Sequence, residues 1–181
     1  MGESMARLIF RRADLNDIDA IEKLVNSVYR GETGLQSWTT EAGFIGGSRV
    51  DRAGLRELIE KDDSLVLLAY AEARPDDLLG TVHLERKGQE VYLGMLSVSV
   101  AAQNSGLGKA LLEKSEELTR SFFKAHAVFM SVINIRTELI QWYERRGYRQ
   151  TGETAPFPYG DPRFGEPLRD DLLFVTLRKP L

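Results

Sequence analysis

The 181-residue chain predicts a single α/β domain, spanning 1–181, around a mixed sheet. Three observations carry that reading. Strand candidates at 64–71, 79–86 and 90–100 are separated only by Arg74-Pro75-Asp76-Asp77 and Lys87-Gly88-Gln89, short enough for an antiparallel meander. The last of them runs through a polar, glycine-bearing turn into a helix from 106 to 122 or beyond. A further apolar strand at 128–133 follows that helix, and a right-handed crossover lays it parallel to the strand before.

The remaining elements fit around these. Residues 7–12 read as a first strand on Leu8, Ile9 and Phe10. Asp14 caps a helix through Tyr29 whose apolar positions Ile18, Ile21, Leu24, Val25 and Val28 recur at helical spacing. The stretch 31–47 is glycine-rich and holds Trp38, Phe44 and Ile45, so it reads as a long connection with aromatic anchors, either a binding wall or an ordinary packed loop. Asp51 caps a short helix to Lys61 with Leu55, Leu58 and Ile59 inward. In the helix from 106 the inward positions are Leu107, Ala110, Leu111, Leu118 and Phe122. Asn134 ends the strand at 128–133, and a helix over 136–146 with Leu139, Ile140 and Tyr143 on one face closes at Gly147. A short strand at 148–151, an aromatic loop at 155–167 and a last strand at 171–178 complete the chain.

Composition removes several chemistries. With no cysteine there is no disulfide, thiolate metal site or catalytic thiol. A net charge of -3 with interspersed signs argues against a nucleic-acid partner. No apolar run reaches the length of a membrane span and no leader pattern opens the chain, so a cytoplasmic protein without a membrane partner is expected. The two histidines, His83 and His126, lack metal-ligand spacing, and no metal is expected.

The turn Gln103-Asn104-Ser105-Gly106-Leu107-Gly108-Lys109 is where chemistry can sit. Glycines at a helix start let backbone N–H groups close on an anion without a Cβ in the way. A Walker A loop is excluded by Gln103 and Ala110, and a dinucleotide fingerprint by Leu111.

Gln103-x-x-Gly106-x-Gly108, followed by Asn134 and then Tyr143-Glu144-Arg145-Arg146-Gly147-Tyr148, resembles the paired motifs of the Gcn5-related N-acetyltransferase (GNAT) superfamily. The resemblance covers nearly the whole chain. It implies an α/β (α+β) GNAT fold: a mixed, mostly antiparallel sheet of about seven strands flanked by helices, with a splayed parallel pair at the acetyl-CoA site. It also implies that 103–109 holds the pyrophosphate of acetyl-CoA, with Lys109 either adding charge or merely solvated. The main chain of Leu96 and Val98 would carry the pantetheine arm and the acetyl carbonyl. Tyr143 would protonate the departing thiolate, or else simply pack in the core; Asn134 would bond the pantetheine or cap a strand end.

One departure stands out. Many relatives carry a glutamate as general base two residues before the position of Leu96, and this chain has Gly94 there. His83, Glu85, Glu72 or a water chain are the alternatives. The implied activity is acetyl transfer from acetyl-CoA to a primary amine of a small molecule or peptide in a ternary complex. A CoA-binding regulatory or interaction module is the alternative of another class, and a homodimer is compatible with the resemblance. Acceptor contacts are expected from Glu32 or Glu41, Trp38, Phe157, Tyr159 and Phe164.

Overall fold

The computed structural model describes residues 7–31 and 40–181. Strand β1 (Leu8–Arg12) leads to helix α1 (Ile18–Tyr29) through a single 3-10 turn. Asp14 accepts from the Asn16 amide at 2.8 Å while Asp17 accepts from the Asp14 amide at 2.8 Å, so two orphan donors of the helix start are satisfied reciprocally. A two-residue strand β2 (Ile45–Gly46) precedes α2 (Arg52–Glu60), where the Asp51 carboxylate caps the Gly54 amide at 2.7 Å. The meander is β3 (Ser64–Ala71), β4 (Gly80–Lys87) and β5 (Glu90–Val98). Then follow α3 (Leu107–Ser121), β6 (Ala127–Ile133), α4 (Thr137–Glu144), β7 (Arg149–Pro156), the two-residue β8 (Glu166–Pro167) and β9 (Leu173–Pro180).

Seven strands form one sheet in the order β1-β3-β4-β5-β6-β9-β7, and β2 pairs with β8 in a separate ribbon. Within the large sheet β5–β6 is the parallel pair, as expected for strands joined by a helical crossover. Strand β3 is buried on both faces, and its alternation sorts the core. Leu65, Leu67 and Ala69 pack towards α3 and α4 with Val82, Leu84 and Leu111, whereas Val66, Leu68 and Tyr70 pack towards α1 and α2 with Ile21, Val25 and Leu55. Each fully buried Leu or Ile here stabilises the fold by about 2–3 kcal/mol through the apolar area removed from water. Gly80 allows α3 to approach, since a Cβ there would meet Leu111 at 2.7 Å and the Ser97 carbonyl at 3.1 Å.

Two expectations are corrected. Phe122 is exposed at 54 %, and Phe123 is the ring that turns inward, because the buried face of α3 runs through Leu111, Leu112, Ser115 and Thr119 rather than through Leu118 and Phe122. The inward face of α3 is continued by Ser115 and Thr119, whose hydroxyls donate to the Leu111 and Ser115 carbonyls at 2.7 and 2.8 Å. Strand β7 runs to Pro156, well past the expected 151. It is an edge strand exposed along its whole length, so it carries no apolar alternation to reveal it; pairing with β9, around a register shift near Gly152, makes it a strand.

Candidate functional site

The register of β5 creates the site. It pairs with β6 only at Val91–Val128 and Tyr92–Phe129, after which the two parallel strands diverge. On its other side β5 carries a bulge: the partners step from Thr81–Ser97 to His83–Gly94, and Met95 sits at φ 58 to absorb the extra residue. The β5 edge beyond Tyr92 therefore faces a wedge. Two cavities open along it, with Leu96 lining the inner one and Val98 the outer one, and α4 presenting a side chain to each.

The outer cavity, about 530 Å³, is bordered by Gln103, Asn104, Gly106, Gly108 and Lys109. Asn104 and Gly106 both adopt left-handed backbone, φ 63 and 86, which turns successive N–H groups towards one side. Gly106 is the N-cap of α3 and no side chain caps this helix start, so its first amides are open to an external acceptor. Ser105 donates instead to the Ala102 carbonyl at 2.5 Å, and Gln103 Nε2 donates to the Val98 carbonyl at 3.1 Å, tying the turn to the end of β5. Leu107 is buried and anchors the helix start to the core. Lys109 lies beside Glu113 at 3.6 Å with both side chains mostly exposed, a pair that contributes little to stability.

The opposite wall comes from α4 and was not anticipated. Arg146 stacks over the Trp142 ring at 3.7 Å and donates through Nη1 to the Trp142 carbonyl at 2.8 Å, while its Nε is buried without a partner. Burial holds the Arg146 pKa below its ordinary value. With Arg145 nearby, the residues fit a pyrophosphate: oriented amides on one side and guanidinium on the other. The signal was present in the chain, since Trp142 and Arg146 stand four apart on one helix face.

The inner cavity, about 280 Å³, receives Tyr143 from the next position of α4. Its ring is fixed edge-on between Trp142 and Tyr148, with centroids 5.1 and 5.7 Å away. Burial raises the Tyr143 phenol well above its ordinary 10, so it stays protonated throughout the neutral range. Tyr29, also unanticipated, crosses from α1 and donates to the Leu96 carbonyl at 2.8 Å, bracing the bulged edge.

Charge in this cavity is concentrated in guanidinium groups. Glu41 is clasped between Arg30 at 3.1 Å and Arg136 at 3.0 Å, all three side chains less than a tenth exposed. Arg49 and Arg163 also line the space. Phe157 stacks on Phe174 at 5.7 Å and contacts Phe164 at 6.4 Å, giving an aromatic wall. The β2–β8 ribbon fastens this wall to the 40–47 segment, and Arg30 Nη1 donates to the Gly46 carbonyl at 2.8 Å. Gly165, at φ 83, has no room for a Cβ against Arg30, Ile45 and the Gly46 carbonyl.

Other anticipated residues lie elsewhere. Asn134 Oδ1 accepts from the Leu173 amide at 3.1 Å and its Nδ2 donates to the Asp171 carbonyl at 3.3 Å, joining the end of β6 to β9. Tyr159 is 45 % exposed and accepts from the Leu172 amide. Trp38 and Glu32 lie outside the described residues. Among the base candidates, Glu72 pairs with Arg7 on the surface and Glu85 with Lys61 and Lys87. His83 Nε2 bonds the Ser64 hydroxyl at 2.9 Å, and burial lowers its pKa to about 4. None of the three is among the residues that line the inner cavity. At Gly94 the Tyr92 ring occupies the space of a side chain, since a Cβ would meet its edge at 2.8 Å. Among the described residues no cluster of His, Asp or Glu suits a metal ion, and no helix is long and apolar enough to cross a membrane.

Residues 37–157 match a family model described as an acetyltransferase (GNAT) domain. No curated protein sequence matches significantly. Among solved structures, the chain resembles the ribosomal-protein-S18-alanine N-acetyltransferase of Escherichia coli at TM-score 0.68 and 12 % identity, covering 96 % of this chain and 94 % of that one. Nourseothricin acetyltransferase aligns at TM-score 0.65 and 20 % identity over 96 % and 98 % of the two chains. The spermidine/spermine N-acetyltransferase SpeG of Vibrio cholerae aligns at 0.66 and 14 % over 98 % and 95 %. At these identities the likeness speaks for the fold.

Proposed function

The chain belongs to the GNAT acetyltransferase family, and from that premise we propose that it transfers an acetyl group from acetyl-CoA to a primary amine of a small molecule or peptide by direct attack in a ternary complex. The observation that carries the reading is the division of α4: Trp142 and Arg146 face the cavity of the helix-start amides, while Tyr143 faces the cavity behind it along the same β5 edge. A pyrophosphate at one end and a thioester at the other would match that spacing of roles.

Acetyl-CoA supplies a thioester whose carbonyl accepts the amine and whose sulfur leaves as thiolate. The chain's residues do the rest. The amides of Asn104 to Lys109, with Arg146, would hold the pyrophosphate. The main chain of Leu96 and Val98 would align the arm, with Tyr29 keeping the bulge in shape. The Tyr143 phenol would give its proton to the thiolate as the carbon–sulfur bond breaks. The proton of the amine passes to water, since Glu41, the carboxylate among the described lining residues, is neutralised by two arginines.

Calorimetry with acetyl-CoA and free-thiol release over a panel of amines test the proposal. Micromolar binding and acceptor-dependent thiol release are expected. Binding without thiol release for any amine would favour a CoA-binding module, and absence of binding would sink both.

A further inference from the structure

We propose that the inner cavity selects an acceptor that carries an anionic group, a carboxylate or a phosphonate, beside its nucleophilic amine; this deepens the acetyl-transfer reading and rests on it. Among the described lining residues, Arg30 and Arg136 clasp the one carboxylate, Glu41, and Arg49 adds a further guanidinium to the same wall. Arg163, at the rim, is already matched by Asp161. Arg49 is the group that decides the balance. Its backbone amide donates to Asn26 Oδ1 at 2.8 Å, and its guanidinium lies over the Tyr29 ring at 5.5 Å with no carboxylate partner among the described residues. Arg30 Nε is likewise buried without a hydrogen-bond partner. The crowding is felt: burial first, and the neighbouring charge of Arg49 among the other causes, lower the Arg30 pKa.

The place of this surplus matters as much as its sign. Arg49 and Arg136 both pack on the ring of Tyr29, whose hydroxyl holds the Leu96 carbonyl. Positive charge therefore stands beside the strand edge that the amine must reach. An anion one or two carbons from the amine would meet the guanidinium forks while the nitrogen points at the β5 edge. The same field disfavours an ammonium and so favours the neutral, nucleophilic amine. That does part of the work of the glutamate absent at Gly94. The 280 Å³ volume and the Phe157–Phe174 wall suit a small acceptor body. A polyamine, the acceptor in the name of the Vibrio cholerae enzyme, would bring further positive charge into the surplus.

The test is equilibrium binding to the CoA-saturated protein, where no turnover occurs. Alanine and phenylalanine, their methyl esters, their aminophosphonate counterparts and spermidine are compared by calorimetry. At least one anionic series is expected to bind tenfold or more tightly than its esters, with spermidine the weakest; the better series identifies the anion. Arg49→Gln is expected to abolish the preference and Arg49→Lys to restore part of it. Equal or tighter binding of esters or spermidine, no binding by any anionic amine, or a preference unchanged in Arg49→Gln overturns the proposal. Thiol release from esters or spermidine alone would leave acetyl transfer standing and remove this inference. Tight anionic binding without thiol release for any amine would leave an anion-selective cavity but remove acetyl transfer and, with it, the acceptor role.

Discussion

The outer cavity draws its donors from one contiguous turn, 103–109, and one helix face, whereas the inner cavity gathers side chains from α1, the 41–49 segment, β5, α4 and the loop after β7. As a binding site the first would rely mainly on backbone amides, which nearly every residue possesses, so its sequence requirement is conformational: left-handed backbone at Asn104 and Gly106. The second works with particular side chains, and Glu41 and Arg136, 95 residues apart, must meet within 3.0 Å. A site made of local backbone leaves a short motif behind. A site made of distant side chains leaves scattered arginines that look like any surface charge.

That contrast can be broken experimentally. The largest effect is expected at Tyr143: Tyr143→Phe should lower turnover by about 10²-fold or more, within the range of general acid catalysis, with little change in acetyl-CoA affinity. Its burial predicts that the wild-type rate shows no basic-limb inflection at pH 10, because the phenol titrates higher in the fold. A turnover unchanged in Tyr143→Phe would make the ring a packing residue.

An intermediate effect is expected behind the inner cavity, where His83 meets Tyr92 edge-on at 6.2 Å. Its folded pKa of about 4 lies below the ordinary 6.5. The unfolded chain therefore binds a proton first as pH falls. The stability from neutral His83 is complete above about pH 6.5 and is lost as pH drops towards 4, amounting to about 2 kcal/mol at pH 5. Denaturant unfolding at pH 7.5 and pH 5 measures it, and His83→Gln should flatten the decline; an equal decline in the variant would assign it to other groups.

The smallest effect belongs to the outer cavity. Gly106→Ala meets no atoms but places a Cβ on left-handed backbone, a strain of about 1–2 kcal/mol. Acetyl-CoA affinity should fall up to about tenfold, with turnover at saturating acetyl-CoA unchanged. If turnover falls as well, the two cavities are not separable into binding and chemistry.

Much of the fold was legible in the chain because long amphipathic helices and buried strands each carry their period. Asp14 and Asp51 marked helix starts, and Gly147, at φ 94, a helix end. The full length of strand β7 and the β2–β8 ribbon were not, since an exposed edge and a two-residue pairing have no apolar period to read. Phe122 faces solvent because the buried face of α3 continues through Ser115 and Thr119, polar residues that leave no apolar period to follow.

By itself, then, the sequence determined the outer cavity: the strand–turn–helix at 96–112, its glycine-bearing turn and the Tyr143 helix follow from local spacing and backbone sterics. Tertiary structure decided the inner cavity. Only the folded sheet, with its bulge at Met95 and its parted β5 and β6, brings Arg30, Glu41, Arg49 and Arg136 around Tyr29. The physical reason is that amide donors at a helix start are set by neighbours in the chain, whereas the balance of charge in a cavity is set by which distant side chains the packing brings together.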